Sequence, residues 1–403
     1  MPIKRVILHL GMSKAGSSSI QHTLFYNAPI LKENGFRYLS EWGLTHHGKL
    51  RHLFSPDPVK HVDSTWGKSI SKRKHQNDNK KLVDKMLKII NSSDCETLII
   101  SGECFLLFFS DISIQNLKTF MQDYFVSKNI AVSIVLMVRN PFLWTISILQ
   151  QQIFRCTYTR NVDFFENGTI AYGAINNLQK AFPDSIMLIK FEDACLDENG
   201  PVASFLKTID FPADEIKNLD IKKVNESRCI ETVEFANYIE SIEPRSYKFN
   251  FDSLNPKRTI LDLKPIRHIK GVKYDLPYHG KLELWNRLQE TLHSFKESTN
   301  IDYTNYKIPF PVKHETYSEQ TIQEFVEAFP KLSPVIQKLF LKFFEKKYAK
   351  TAQEKFKQLY FKDSIPWRIY NNNSIFRSIS YYRFRNTLIK LIPQTIKLSI
   401  KKK

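Results

Sequence analysis

The sequence predicts an α/β fold: a central, largely parallel sheet with helices on both faces, followed by a mainly helical, basic C-terminal extension. Three observations predict it. Short apolar runs, as in strands buried on both faces, alternate with longer segments of helical periodicity. The ends of these runs carry Gly11, Glu103, Arg139 and Glu192, and in a parallel sheet the strand carboxyl ends are where ligands bind. At 403 residues the chain is also long enough to bury a full core.

In chain order, Val6-Ile7-Leu8-His9-Leu10 reads as a buried strand, with His9 inside the core. Gly11 to Gly16 reads as a tight loop, and Ile20 to Tyr26 as a helix opened by three serines. Asn34-Gly35 turns the chain into a short strand through Leu39. Thr45-His46-His47-Gly48 is a loop before a helical stretch that starts at Lys49, and His61 to Asn79 reads as a polar surface loop. Asn79 to Asn91 then has Leu82, Met86, Leu87 and Ile90 on one helical face. Strands follow at Thr97 to Ser101, Ile130 to Val138 and Ser185 to Phe191. Helices are expected at Ser113 to Lys128, Phe142 to Tyr158, Asn177 to Phe182, Pro201 to Ile209, Ile230 to Ser241 and Lys281 to Lys296. Pro309-Phe310-Pro311 marks a boundary, giving a first domain over 1–312 and an extension over 313–403 with helices at Ser318 to Phe329 and Ser333 to Tyr360.

The stretch VILHLGMSKAGSSSIQHTLF, Val6 to Phe25, carries the strongest signal. A strand, a glycine-bounded loop and a helix N-terminus make an anion site, because first-turn N–H groups lack intrahelical partners and the helix dipole favours negative charge. Lys14 puts a point charge inside the loop, and Ser17, Ser18 and Ser19 add hydroxyl donors. A Walker A loop has its lysine directly after the second glycine. Here Ser17 holds that place and the lysine is in mid-loop, which fits an ATP-dependent kinase poorly. A turn whose glycines serve packing alone would not need a lysine and three hydroxyls together. The pattern G-x-x-K-x-G-S-S-S resembles instead the 5′-phosphosulfate loop of the P-loop-like sulfotransferases, which use 3′-phosphoadenosine 5′-phosphosulfate (PAPS). LHxGxxKxGSSSIQ looks most like the bacterial carbohydrate-type members.

A second motif is Ala131 to Gln152, AVSIVLMVRNPFLWTISILQQQ. Arg139 leaves a strand, Pro141 suits a first helical turn, and Ser147 follows on the helix, so a guanidinium and a hydroxyl can converge on one anion. This spacing is similar to the family's 3′-phosphate motif. Ile189-Lys190-Phe191-Glu192-Asp193 and Val224-Asn225-Glu226-Ser227 also resemble family segments, the first with a mainly structural role. The resemblance covers about residues 3–230 and implies Lys14, Ala15, Gly16, Ser17, Ser18, Ser19, Arg139 and Ser147 as PAPS ligands, with Lys14 also stabilising the leaving oxygen. It implies no metal. An acceptor hydroxyl must lose a proton, and two residues compete to take it. Glu103 ends a strand beside the loop, and some glycan sulfotransferases use a glutamate base. His47, next to His46, lies near the same strand, where cytosolic members carry a histidine. Glu103 is preferred, with His47 as base or substrate contact. The resemblance points to a glycan or glycolipid acceptor.

Composition bounds the remainder. The chain is 42% hydrophobic and 25% charged, with no apolar run long enough to span a membrane. The start leads almost directly into the first strand, without a signal-peptide pattern. Five scattered cysteines lack C-x-x-C spacing, which argues against zinc and for a reducing, cytoplasmic setting. Residues 313–403 hold 19 Lys and Arg against 7 Asp and Glu, +12 of the chain's +18. Solvated lysines on a helical cap suit 313–360, while the aromatic-basic 361–403 equally suits peripheral contact with an anionic inner membrane face. Nucleic acid is the least favoured partner, since no recognition motif is present. Two other functions stay open on sequence: a small-molecule or sugar kinase, and a non-enzymatic basic membrane- or nucleic-acid-binding protein.

Overall fold

A computed structural model describes residues 3–56, 72–104, 108–154, 164–224, 227–242, 263–309 and 318–347. Residues 61–71 of the expected surface loop, the continuation of the Phe142 helix to Tyr158, Asn225-Glu226 and 243–262 lie outside these residues. So do Phe310-Pro311 and everything from 348 on, the 361–403 segment included.

Five strands form one parallel sheet: β1 (Arg5–His9), β2 (Phe36–Tyr38), β3 (Thr97–Ser101), β4 (Ala131–Val138) and β5 (Ile186–Lys190), in the order β2-β3-β1-β4-β5. Val6 pairs in register with Leu98 on one side and Val132 on the other. β3 is buried along its whole length, which is why the central strands read as unbroken apolar runs.

The helices that connect and cover the sheet are α1 (Ser17–Tyr26), α2 (Ala28–Glu33), α3 (His47–Phe54), α4 (Lys72–Ser92), α5 (Asp111–Tyr124), α6 (Pro141–Phe154), α7 (Phe164–Ala181) and α8 (Gly200–Thr208). The connection from β1 runs outward to the β2 edge, whereas those from β2, β3 and β4 run the other way. Right-handed crossovers therefore put α1 and α2 on one face and α3 to α7 on the other. α8 packs on α1, while α3, α5 and α7 touch in series. The two-faced arrangement matches the expected architecture. β1 and β4 are neighbours whose outgoing connections diverge, so a crevice opens between their carboxyl ends.

Three helix expectations change. The helix expected over Asn177 to Phe182 begins at Phe164 and ends at Ala181, as α7. Residues 72–79 are the first turns of α4, not surface loop, because His75 and Asn79 turn inward onto His52 of α3. The helix expected over Lys281 to Lys296 is two, α10 (Tyr278–Arg287) and α11 (Gln289–Thr299), hinged at Leu288. Leu288 is itself buried, so apolar periodicity runs through the break and hides it.

A second apolar cluster stands apart from the sheet. It joins Leu149 and Ile153 of α6, α9 (Ile230–Ile242), Ile266 and Ile269, α12 (Glu319–Ala328) and α13 (Pro334–Lys347). Segments on both sides of residue 312 thus share one core. Phe340 is its centre, wholly buried, with ring centroids 5.0 Å from Phe235, 5.3 Å from Phe325 and 5.4 Å from Phe329. Among the described residues, no helix is long and apolar enough to cross a membrane.

Emptying that centre should cost heavily. Phe340→Ala is expected to lower unfolding free energy by about 3–5 kcal/mol in urea melts, the range for a fully buried phenylalanine. A loss below about 1 kcal/mol would mean that the cluster is not a core.

Candidate active site

The loop between β1 and α1 is fixed by close packing. Gly16 has φ +81°, and a Cβ there would lie 2.9 Å from Pro201 Cβ; a Cβ on Gly11 would lie 2.2 Å from Ser17 Oγ. Lys14 also takes a left-handed φ, 63°, unusual for a lysine. Ile20 N–H donates to Gly16 O at 3.1 Å, so Ser17, Ser18 and Ser19 form the first turn of α1. No side chain caps that turn and it carries no acidic residue, which leaves its dipole open to an anion.

The three serines divide their work. Ser17 is 1% exposed and donates to Met12 O at 3.0 Å, closing the loop. It sits where a Walker lysine would be. Ser19 Oγ accepts from Val224 N at 3.0 Å and ties in the 220s segment. Ser18 Oγ stands 3.5 Å from Glu103 Oε1. Ala15, between Lys14 and Gly16, is fully buried.

Arg139 reaches across the crevice from β4. Its Nη1 donates to Lys14 O at 2.7 Å, its guanidinium lies 5.0 Å from the Phe191 ring centroid, and its buried Nε has no hydrogen-bond partner among the described residues. Burial lowers its pKa, opposed by the Glu192 carboxylate. Glu192 accepts from Asn140 N at 3.0 Å and from Tyr303 Oη at 3.0 Å, while Tyr172 Oη donates to Arg139 O at 2.8 Å. Asn140 Oδ1 accepts from Phe142 N at 2.9 Å, which starts α6 at Pro141. Ser147, two turns on, faces the same space.

That space is a cavity of about 940 Å³ lined by Lys14, the serines, Glu103, Arg139 and Ser147. Of the two base candidates, Glu103 lines it and His47 does not. His47 Nδ1 donates to the Glu103 carbonyl at the start of α3, which brings both candidates to the end of β3. His46 is buried, accepts from Ser101 N at 2.9 Å and stacks on Tyr38. His9, as expected, is in the core, 2.7 Å from Ser101 Oγ.

Sequence reasoning missed part of the lining. Lys223, Arg228, Arg267, Lys270 and Lys273 also line the cavity. Ile230 N donates to Val272 O at 2.8 Å and Tyr274 N to Arg228 O at 2.9 Å, pinning the 267–273 segment beside α9. The only sequence signal was the basic run Arg267-His268-Ile269-Lys270-Gly271-Val272-Lys273.

No family model and no curated relative matches this chain. Among solved structures it is similar to a sulfotransferase from Alicyclobacillus acidocaldarius, with 13% identity over 55% of this chain and 85% of that one, TM-score 0.34. It is also similar to retinol dehydratase in complex with androsterone and the inactive cofactor PAP (12% identity, 76% and 84% covered, TM-score 0.33). A retinol dehydratase complex with retinol and PAP matches with 11% identity, 77% and 84% covered, TM-score 0.33. At such distances the chemistry has to be read from this chain's own residues.

Burial holds His9 down to about 4 and His46 to about 3. Above the ordinary histidine value of about 6.5 both are neutral, folded or unfolded. Below it the unfolded chain binds protons that the folded chain refuses, so stability falls as pH falls toward 4, by up to about 1.4 kcal/mol per pH unit for each histidine. Urea melts from pH 7.5 to 5 should show this decline, and His46→Gln should make it shallower. A flat profile would contradict the burial of both rings.

Proposed function

We propose that this chain is a PAPS-dependent sulfotransferase. The observation that carries the reading is the meeting, in one cavity, of an uncapped helix N-terminus with its loop lysine and a partly buried arginine with an orphaned Nε from the neighbouring strand. Two separate anion grips suit a ligand with phosphates at both ends of a nucleoside. The first-turn amides of α1, Lys14 and Ser18 would hold the 5′ end; Arg139 and Ser147 would hold the 3′-phosphate. A cavity of about 940 Å³ has room for such a nucleotide and part of an acceptor. Bound there, PAPS would supply an activated sulfuryl group on a phosphate leaving group.

The chain's own residues do the rest. Lys14 places an ammonium inside the loop and stabilises negative charge on an oxygen held by the amides. Glu103 takes the proton from the acceptor hydroxyl at its carboxylate, the one carboxylate among the described lining residues. His47, bonded to the Glu103 carbonyl, holds the backbone of the base. Phe191 and Arg139 stack, fixing the guanidinium plane. The acceptor is a hydroxyl of a sugar in a glycan or glycolipid, supported by the bacterial carbohydrate-type pattern of the loop. An enzyme of lipid-linked glycans would gain from the basic 361–403 segment at an anionic membrane face.

A thermal-shift comparison tests the cofactor. 3′-Phosphoadenosine 5′-phosphate (PAP) should raise the melting temperature where ATP with Mg²⁺ does not, since a ligand of the folded state alone stabilises it. Stabilisation by ATP–Mg²⁺ alone would overturn the reading. In turnover with PAPS, Glu103→Gln should lower kcat by roughly 10²-fold or more while leaving PAP affinity near wild type. A Glu103→Gln rate near wild type would remove Glu103 as the base.

A further inference from the structure

We infer that Tyr303 is a positioning residue for the second anion grip: by holding Glu192 against the backbone of Asn140, it keeps the Arg139 guanidinium open to the donor's 3′-phosphate. This rests on the donor assignment above. Glu192 stands two residues past β5, beside the end of β4 where Arg139 leaves the sheet. Burial lowers the pKa of Arg139, and the Glu192 carboxylate acts against that. A carboxylate so near a guanidinium would ordinarily close on it in a forked pair. Here, among the described residues, the two form no ion pair. Both carboxylate oxygens are engaged elsewhere. Oε1 accepts from Asn140 N at 3.0 Å, and Oε2 accepts from Tyr303 Oη at 3.0 Å.

The tyrosine is the part of this arrangement that comes from afar, 111 positions along the chain. It is 4% exposed, and burial, then the Glu192 charge, raise its pKa far above the ordinary tyrosine range, so Oη stays a donor. A built turn presents it. Asp302 Oδ1 accepts from Thr304 N at 2.8 Å and from Thr304 Oγ1 at 2.7 Å, and Ile301 N donates to Thr299 Oγ1 at 3.1 Å. The Tyr303 ring stacks on Phe295 of α11 with centroids 5.7 Å apart, and Phe295 meets Tyr172 of α7 edge-on at 4.8 Å. Tyr172 in turn donates to Arg139 O. Two tyrosines packed on one phenylalanine thus hold the arginine's carbonyl and its neighbouring carboxylate. Packing alone would be served by phenylalanine at 303, since a buried hydroxyl is unfavourable unless it is bonded.

The test titrates the full chain calorimetrically with PAP and with AMP, which lacks the 3′-phosphate, AMP being followed by its competition with PAP. Wild type should prefer PAP by about tenfold or more, the effect of one charge-assisted phosphate contact. Tyr303→Phe should lower PAP affinity about tenfold, as the released carboxylate closes on Arg139, and AMP affinity less than about threefold. Adding Glu192→Gln should restore most of the PAP affinity, because an amide cannot form that ion pair; a loss of packing would not be restored. In an Arg139→Ala background Tyr303→Phe should have no further effect on the PAP-to-AMP ratio. The cavity's other cations are the same in every variant, so the ratio reports on Arg139. An unchanged ratio in Tyr303→Phe overturns the inference and leaves the donor reading standing. So do equal losses for the two nucleotides, no recovery with Glu192→Gln, or a full Tyr303→Phe effect without Arg139. A wild-type chain that binds neither nucleotide, or binds AMP as tightly as PAP, is a distinct result and removes the donor reading and this inference together.

Discussion

One hydrogen bond organises the site: Arg139 Nη1 to the carbonyl of Lys14, at 2.7 Å. It joins the loops that leave two neighbouring parallel strands in opposite directions. Without such a tie the crevice between β1 and β4 would be only a gap in the helical cover. With it, a strained lysine and a partly buried arginine are held in fixed relation. Lys14 at φ 63° pays a conformational cost, and the surrounding contacts hold it there. Trp144 Nε1 donates to Ser13 O at 2.9 Å, and Ser17 donates to Met12 O, so three successive loop carbonyls, those of Met12, Ser13 and Lys14, each accept from a side chain.

A second layer keeps the arginine from relaxing. Glu192 offsets its charge from below, and Tyr303 and Asn140 fix Glu192 in turn. Tyr303 comes from the segment after α11, so the distal helices bear on the site as well as covering it. The 318–347 helices act similarly. They hold the 267–273 wall through Thr321 and Glu324, which gives part of the expected extension a structural task in the cavity.

Much of this was legible in the residues. The strands of the sheet are continuous apolar runs, and burial on both faces writes directly into composition. Gly11, Lys14, Gly16 and Arg139 were legible because each is an exception to its surroundings: a glycine at a required turn, a cation at the end of an apolar run. What could not be read were partners distant in sequence. Ser17, Ser18 and Ser19 look alike in a row, and only the fold shows that Ser19 clasps Val224, 205 positions away. His46 and His47 look alike too, yet one is buried against Tyr38 and the other meets the Glu103 carbonyl. The Arg267–Lys273 run has no periodicity to place it, and its position depends on Gly271 fitting against Cys229.

The most direct measurement is a crystal structure of the full chain with PAP. One phosphate should rest on the first-turn amides of α1 beside Lys14, and the other should meet Arg139 and Ser147. PAP seated outside the cavity, or with its adenine against the Lys14 loop, would contradict the account.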